Sequence, residues 1–415
     1  MLELIRAAAT APARIRRREL RTRVGRYLAS KDMQLLALRR AMSRERSHGD
    51  RNWEYAFYTR WLEYNMESRS MEELQPSKPC RESCSVHSQR KRSGGTRRLW
   101  KFGLCMTARQ LLVCEALSAF YRRRPWSQML FAGGLPPGVV DIKAALANPA
   151  LTHYAIVDVT AFFDNVDLRG ATCFLPLDRK VMENTLCVSP PADSARGRQT
   201  RYARICASEV VDVDRPLALP QGAASSPLIA YGLLEEALPL EDLEHLFPYA
   251  DDLLILGESE EDVRAKVSRY AANLVRHPAG PLHLGPIEYG EITENARFEF
   301  IGVTFHIETT LATEKRRVHA EASTEKRSKL GDRLRHALAD DMEARDRLLG
   351  KTSDCLVGFL AGVPTDDREQ LVELACDVAK TAGCRVFPLV ARAERFLTDS
   401  EVGRLMARYV GRRLS

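Results

Sequence analysis

The sequence lacks any long uninterrupted apolar run. None reaches the roughly 18 residues that a membrane-spanning helix needs. The amino terminus also lacks the layout of a secretory signal, because Arg6 interrupts its short apolar stretch and residues 14–26 are strongly basic. Glu3 and Glu19 argue against a mitochondrial transit peptide. These absences predict a cytoplasmic protein that has no membrane partner.

Closely spaced cysteines are almost absent. The ten cysteines are scattered singly through 415 residues, and in a cytoplasmic chain such cysteines are mostly buried, small apolar residues. Cys80, Cys84 and His87 alone suggest a metal. Their spacing is loose, and no fourth ligand lies nearby, as a closed zinc site requires. The sequence leaves metal binding by this group open.

Acidic residues are scarce in the first third of the chain. Residues 1–125 contain 28 Lys and Arg against 12 Asp and Glu, whereas residues 126–415 contain 34 against 43. Such an asymmetry favours a phosphate-binding surface near the amino terminus. Residues 14–26 place arginines on nearly every face of a predicted helix, with a solvated helix as the alternative. The aromatic cluster in residues 53–64 could line a helical core or stack on unpaired bases.

A pair of adjacent acids stands between two apolar runs. Tyr249-Ala250-Asp251-Asp252 has apolar residues 246–248 before it and 253–256 after it, which predicts a strand, a tight turn and a strand. Neighbouring carboxylates repel each other unless a cation lies between them. The natural cation for oxygen ligands is Mg²⁺. Taken alone, the pair could also be a solvated turn.

A third acid follows a second predicted strand. The apolar run of residues 153–157 predicts a buried strand that ends at Asp158, and Phe162, Phe163 and Asp164 follow it. If the two strands met, their three carboxylates would form a two-metal site of the kind that performs in-line phosphoryl transfer. The alternative for Asp158 is a helix N-cap.

Two further segments suggest contacts with a nucleotide. Pro220-Gln221-Gly222 precedes a run of small residues that predicts a helix start, and Gly222 permits a close approach by a flat partner. Residues 91–101 place a Gly-Gly turn between basic residues, a pattern typical of a hairpin whose cations fold over a triphosphate.

The order of these motifs resembles the palm of reverse transcriptases. Asp158-x-x-x-Phe162-Phe163, Pro220-Gln221-Gly222, Tyr249-Ala250-Asp251-Asp252 and Phe298-Glu299-Phe300-Ile301-Gly302 follow one another over about residues 90 to 310. The resemblance is to the bacterial branch, which comprises group II intron proteins, retrons and defence-associated enzymes. It implies an α+β, right-hand polymerase with fingers, a palm built on an antiparallel sheet, and a helical thumb.

The resemblance also implies roles for individual residues. Asp158, Asp251 and Asp252 would be catalytic, and together with Val159 they would hold two Mg²⁺ ions, for which Mn²⁺ could substitute. Phe163 would exclude a ribose 2′-hydroxyl. The nucleotide contacts would be Arg98, Lys101, Arg109, Phe163, Gln221 and Gly222, and the primer grip Phe300, Ile301 and Gly302.

The segment before the primer grip departs from the family pattern. Relatives often carry a lysine there, and residues 282–289 contain none. If that lysine acts as a general acid toward pyrophosphate, His283 or water must replace it.

The predicted domains follow the chain in order. Residues 1–75 form a basic helical extension, residues 76–310 the fingers and palm, and residues 311–415 a helical thumb. The four-residue spacing of Leu330, Leu334 and Leu338 predicts one thumb helix, and Asp366 with Glu369 has the spacing of a capping box.

The expected activity is RNA-directed DNA synthesis from dNTPs. The absence of endonuclease, integrase and RNase H residue patterns favours a stand-alone bacterial enzyme that copies a dedicated structured non-coding RNA into DNA, with antiphage defence as a possible setting. A retron enzyme, a group II intron-encoded enzyme, a protein-primed or untemplated DNA polymerase, and an RNA-directed RNA polymerase are the alternatives.

Overall fold

A computed structural model describes most of the chain. It covers residues 2–9, 13–46, 72–80, 82–90, 96–120, 135–171, 175–186, 203–204, 218–238, 244–310, 315–343, 349–363 and 365–410. The aromatic cluster in residues 53–64 and the Gly-Gly turn at residues 91–95 lie outside these ranges.

The fold is α+β, as the sequence predicts. Its strands are β1 (Ser83–Arg90), β2 (Thr96–Phe102), β3 (His153–Asp158), β4 (Ala203–Arg204), β5 (Leu246–Tyr249), β6 (Asp252–Gly257), β7 (Glu288–Glu291), β8 (Arg297–Phe300), β9 (Val303–Thr310) and β10 (Lys315–Ala322). Its helices are α1 (Leu2–Ala9), α2 (Ala13–Leu28), α3 (Lys31–Arg46), α4 (Leu104–Phe120), α5 (Leu135–Leu146), α6 (Phe162–Asn165), α7 (Leu168–Ala171), α8 (Arg179–Val181), α9 (Ser226–Ala237), α10 (Glu260–Val275), α11 (Thr324–Glu343), α12 (Gly350–Leu360), α13 (Arg368–Thr381), α14 (Phe387–Ala393) and α15 (Asp399–Leu405).

The chain divides into two compact units that interleave along the sequence. The first comprises Met1–Arg123, Asp158–Leu240 and Ser268–Gly285, and the second comprises Arg124–Val157, Glu241–Val267 and Pro286–Ser415. The sequence predicted three consecutive segments instead, and their boundaries remain a prediction.

The first unit joins amino-terminal helices to a small sheet. Helix α3 packs on α4, whose inner side chains, such as Val113 and Ala116, are fully buried. The sheet has the strand order β2-β1-β4. Strands β1 and β2 form an antiparallel hairpin in which Cys84 pairs with Phe102 and Arg90 with Thr96.

The second unit contains a four-stranded sheet with the order β5-β6-β3-β7 and a three-stranded sheet with the order β10-β9-β8. The two sheets share a core, because Tyr154 of β3 stacks on Phe298 of β8 at 4.4 Å between ring centroids. Phe298 in turn stacks on Phe305 of β9 at 5.4 Å. Helix α5 buries Ile142 and Leu146 in the same cluster.

The last hundred residues are helical, and the predicted leucine spacing is confirmed. Leu330, Leu334 and Leu338 lie on α11 and are buried in one cluster with residues of α12, α13 and α14. Their period of four residues keeps them on the inner face of the helix.

The capping box predicted at Asp366 and Glu369 is wrong. The N-cap of α13 is Asp367, and its side chain makes no capping hydrogen bond. Asp367 instead accepts a 2.6 Å hydrogen bond from the amide of Ala322, and Asp366 pairs with Lys143. Long-range partners therefore occupy both carboxylates. The capping box that does form joins Thr398 and Glu401 at the start of α15.

Candidate active site

Asp158 stands at the carboxyl end of a buried strand, as predicted. Ala155 and Val157 of β3 are fully buried, and Asp158 is exposed. The alternative role of an N-cap is excluded, because the next helix, α6, has Ala161 as its N-cap residue. Asp158 is therefore an exposed acid at the end of a core strand.

The predicted strand, turn and strand around the acid pair are confirmed. Tyr249 of β5 pairs with Asp252 of β6 across a two-residue turn formed by Ala250 and Asp251. Leu253 and the three residues after it are buried, whereas both acids are half-buried. Burial, and next the Asp252 carboxylate, raise the pKa of the Tyr249 phenol. The turn thus holds two carboxylates against an apolar wall.

The four-stranded sheet sets the direction of the two acid-bearing strands. Strand β3 lies beside β6, and the amide of Thr152, just before β3, donates a 2.9 Å hydrogen bond to the carbonyl of Gly257, the last residue of β6. The strands are therefore antiparallel. The carboxyl end of β3, which is Asp158, and the amino end of β6, which is Asp252, point to the same edge of the sheet.

The carboxylates are suitable donors for a metal but are not preassembled around one. Within the described part of the chain, no three His, Cys, Asp or Glu side chains lie together as a metal site. Carboxylate oxygens are nevertheless the ligands that Mg²⁺ prefers. Val159, the other predicted metal residue, is buried, and its carbonyl accepts a 3.3 Å hydrogen bond from the amide of Phe162.

The two phenylalanines after Asp158 have different surroundings. Phe162 is fully buried, which confirms the prediction that it points into the core, and Phe163 is half-buried. Their rings meet edge to face, with 5.4 Å between centroids. Phe163 is thus the more accessible of the pair, as a residue that contacts a ligand must be.

The Pro-Gln-Gly loop is fastened to two other predicted site segments. The amide of Leu219 donates a 3.0 Å hydrogen bond to the carbonyl of Phe163, and the amide of Trp100 donates a 2.7 Å hydrogen bond to the carbonyl of Gln221. The structure therefore brings Phe163, Gln221 and strand β2 together within the first unit.

Gly222 makes its close approach to the chain itself. Its φ angle is +105°, and a Cβ atom there would lie 2.3 Å from the carbonyl oxygen of Trp100. The sequence predicted a flat external partner at this glycine. The approach of the Trp100 carbonyl explains the glycine without one.

The basic hairpin presents its cations on two faces. Along β2, Trp100 and Phe102 pack with Cys84 of β1, whereas Arg97, Arg98 and Lys101 are exposed. Side chains alternate along a strand, so Arg98 shares the side of Trp100, and Arg97 shares the side of Lys101. Arg97 was not among the predicted contacts, although the period of two along a strand places it beside Lys101.

The prediction that Arg109 contacts a nucleotide is wrong. The side chain is fully buried in α4. Its guanidinium donates to the carbonyls of Glu73 and Lys78 at 2.6 Å each, and to those of Glu72 and Pro79 at 3.2 and 3.4 Å. Desolvation lowers the pKa of Arg109. A guanidinium enclosed by main-chain carbonyls holds the chain together and does not contact a triphosphate.

The predicted primer grip is a tight hairpin turn. Ile301 and Gly302 connect β8 to β9 with φ angles of +50° and +72°, as a type I′ turn requires. Phe300 before them is buried in the core, so its side chain supports the turn and cannot contact a primer. Ile301 and Gly302 line a cleft of about 790 Å³, together with Lys326, Lys329, Arg333 and Phe359.

Left-handed backbone marks three of the predicted motifs. The described residues include five non-glycine positions with positive φ, and three of them are Ala161, Ala250 and Ile301. Such conformations cost free energy and concentrate at functional sites. Ala161 follows the first acid, Ala250 precedes the acid pair, and Ile301 forms the hairpin turn.

The segment that carries His283 pairs with the segment that carries Asp158. Val159 forms an antiparallel bridge with Leu284, the amide of Thr160 donates to the carbonyl of His283 at 2.9 Å, and the amide of Gly285 donates to the carbonyl of Asp158 at 2.8 Å. Val159 is buried, whereas Asp158, Thr160 and His283 are exposed. These three side chains therefore share one face, on which Gly285, opposite Asp158, carries no side chain.

Cys80 and Cys84, the two cysteines of the suspected metal group, are both buried. Burial raises the pKa of Cys80 and that of Cys84 to about 11, and Cys84 packs against Trp100. Metal ligation requires a thiolate, and burial in apolar surroundings disfavours the thiolate form. Both cysteines behave as small apolar residues.

Comparisons with known proteins give distant likenesses among solved structures. No protein-family model matches the sequence, and no curated protein matches it. Among solved structures, the RNA-dependent RNA polymerase of a human picorbirnavirus is similar, with a TM-score of 0.39 and 12% identity over 79% of this chain and 64% of that chain. The chain thus spans less than two thirds of the viral polymerase, and a likeness this distant supports no inference about activity.

Over the ranges that the structure describes, every helix is too short or too polar to cross a bilayer.

Proposed function

We propose that the protein is an RNA-directed DNA polymerase that adds deoxynucleotides to a primer. The observation that carries the proposal is the antiparallel arrangement of β3 and β6, because the acid at the end of one strand and the acids at the start of the other belong to the same sheet edge. The accessible Phe163 and the hydrogen-bonded Pro-Gln-Gly loop support the proposal, because both belong to motifs whose order resembles that of reverse transcriptases.

Asp158, Asp251 and Asp252 are the residues that would hold two Mg²⁺ ions. Bound Mg²⁺ would lower the pKa of the primer 3′-hydroxyl and neutralise charge on the leaving pyrophosphate. The exposed position of Asp158 and the half-buried positions of Asp251 and Asp252 leave these side chains accessible to ions. We expect Mn²⁺ to substitute for Mg²⁺.

Phe163 would select the sugar, and the basic hairpin would hold the triphosphate. A phenyl ring beneath the ribose would leave no room for a 2′-hydroxyl, so dNTPs would be preferred. The carbonyl of Phe163 accepts the amide of Leu219, which fixes the main chain at the ring. Arg98 and Lys101, with Arg97 in place of Arg109, would contact the phosphates from the exposed positions of β2.

In the proposed layout, β1 and β2 belong to the fingers, the four-stranded sheet to the palm, and α11 to α15 to the thumb. The enzyme would be a bacterial protein that copies a structured non-coding RNA, in a setting such as antiphage defence.

Primer extension on an RNA template tests the proposal. We expect DNA synthesis with dNTPs and Mg²⁺, inhibition by a chelator, and loss of synthesis in Asp251→Asn and Asp252→Asn. Glu291→Gln is the matched control, because Glu291 is an exposed acid at the opposite end of the same sheet, where it pairs with His153. Full activity of both asparagine variants would refute the metal site. Extension with rNTPs and not dNTPs would identify an RNA polymerase instead.

A further inference from the structure

One face of helix α2 is rich in arginine and contains no acid. Five consecutive positions around the helix are exposed: Arg18, Arg21, Thr22, Gly25 and Arg26. At about 100° per residue they cover an arc of about 140°. We call this surface the arginine face of α2.

The opposite side of α2 anchors the helix in the first unit. Leu20, Val24, Tyr27 and Leu28 are each at most 3% exposed. Arg23, at the border, serves the fold, since it donates a 2.6 Å hydrogen bond to the carbonyl of Leu4 and pairs with Glu19. The helix therefore presents the arginine face from a fixed position.

The arginines of this face have no acidic partner among the described residues. Glu19 and Glu115 pair with Arg23 and Arg40, respectively, and no ion pair of the described chain involves Arg18, Arg21 or Arg26. Three like charges on one face repel one another. A bound polyanion would relieve that repulsion. The surplus of basic residues in the first third of the sequence adds to the positive electrostatic potential that attracts a polyanion.

The spacing of the face suits a phosphate backbone. Arg18 and Arg26 lie about 12 Å apart along the helix axis. A nucleic-acid strand carries one phosphate per nucleotide, about every 3.4 Å along the axis in double-stranded DNA. The face thus spans about three phosphates, and each planar guanidinium can bind one through two N–H donors.

We propose that the arginine face of α2 binds the phosphate backbone of RNA. The partner class rests on the proposed function, which requires an RNA template. An anionic membrane is a poorer partner, because membrane-binding amphipathic helices insert an apolar face, and the apolar face of α2 is buried against its own unit.

The salt dependence of RNA binding tests this role in the full-length protein. The test variant is Arg18→Gln/Arg21→Gln/Arg26→Gln. The control is Arg335→Gln/Arg385→Gln/Arg392→Gln, which removes the same charge from exposed arginines of the second unit. Fluorescence anisotropy with a labelled stem–loop RNA gives Kd at several salt concentrations.

We expect the slope of log Kd against log salt concentration to decrease in magnitude by about 2 to 3 in the test variant. Each lost phosphate contact removes about 0.7 to 0.9 from this slope. The control should keep the wild-type slope. A wild-type slope in the test variant, or an equal fall in both variants, would overturn the proposal. If the triple variant does not fold, Arg21→Gln alone should lower the slope by about 0.7 to 0.9.

Two further measurements separate the possible failures. Binding is measured without nucleotides, and primer extension is assayed on the same preparations. A protein that binds RNA through this face but extends no primer would refute the proposed function alone. Binding to phosphatidylserine vesicles that depends on the three arginines, with RNA binding unchanged, would identify a membrane surface and overturn the inference.

Discussion

The main-chain amide of Trp100 donates a hydrogen bond of 2.7 Å to the carbonyl of Gln221. This bond fastens the Pro-Gln-Gly loop to the basic strand β2. The next residue, Gly222, comes so close to the Trp100 carbonyl that it has no space for a Cβ atom. Because the same loop is bonded to Phe163 through Leu219, its position also sets that of the proposed sugar gate.

Gly222→Ala should lower both stability and activity. The left-handed φ angle disfavours alanine, and the added methyl would meet the Trp100 carbonyl oxygen at 2.3 Å. We expect a loss of about 1–3 kcal/mol in the free energy of unfolding and slower nucleotide incorporation. Gly358→Ala is the control, because its Cβ would enter open space on α12, where alanine favours the helix. Equal thermal melting of both variants would contradict the close-approach argument.

Phe163→Ala should relax sugar selection. The half-buried ring is proposed to exclude the 2′-hydroxyl, so its removal should raise rATP use relative to dATP by about 10²–10³-fold. Single-nucleotide incorporation opposite template U measures this ratio.

Phe162→Ala should act on stability instead. Its ring is fully buried, and truncation of such a ring costs about 3–5 kcal/mol. Denaturant unfolding measures the loss, and the sugar preference of the folded fraction should stay as in the wild type. Relaxed selection in Phe162→Ala, with normal selection in Phe163→Ala, would show that the gate is the other residue.

His283→Ala should slow the chemical step. The imidazole shares an exposed face with Asp158, where it could donate a hydrogen bond to the leaving pyrophosphate. We expect kcat to fall by about 10²-fold with little change in KM, as for the loss of one transition-state donor, and His283→Lys to restore part of it. His319→Ala, an exposed histidine on β10, should behave as the wild type. If the two alanine variants had the same kcat, His283 would have no part in the reaction.

Arg109→Ala should destabilise the first unit, because it leaves buried main-chain carbonyls without donors, at a cost of about 1–3 kcal/mol for each unsatisfied group. Arg109→Lys should not restore stability, since an ammonium cannot reproduce the fork of N–H donors. Arg97→Ala, on the exposed face of β2, should leave thermal melting unchanged and weaken dNTP binding. A stable Arg109→Ala protein with weak dNTP binding would reinstate Arg109 as a phosphate contact.

The sequence by itself determined the elements that carry the acids. The apolar run before Asp158 predicts a strand that ends at this acid, and the apolar runs on both sides of Asp251 and Asp252 predict a hairpin that turns at the acid pair. The structure contains both. The period of Leu330, Leu334 and Leu338 likewise determined a helix. Local periodicity is enough to predict these elements, because it indicates which side of each element is buried away from water.

Only the tertiary structure decided the partners of individual side chains. Arg109 and Arg97 are both basic in the sequence, yet one is enclosed by carbonyls from residues 72–79 and the other is exposed. Asp366 and Glu369 have the spacing of a capping box, but Asp366 pairs with Lys143, which lies 223 residues away in the sequence. Charge and spacing along the chain describe what a residue can bind. Which group it does bind depends on contacts between distant segments, and these exist only after the chain has folded.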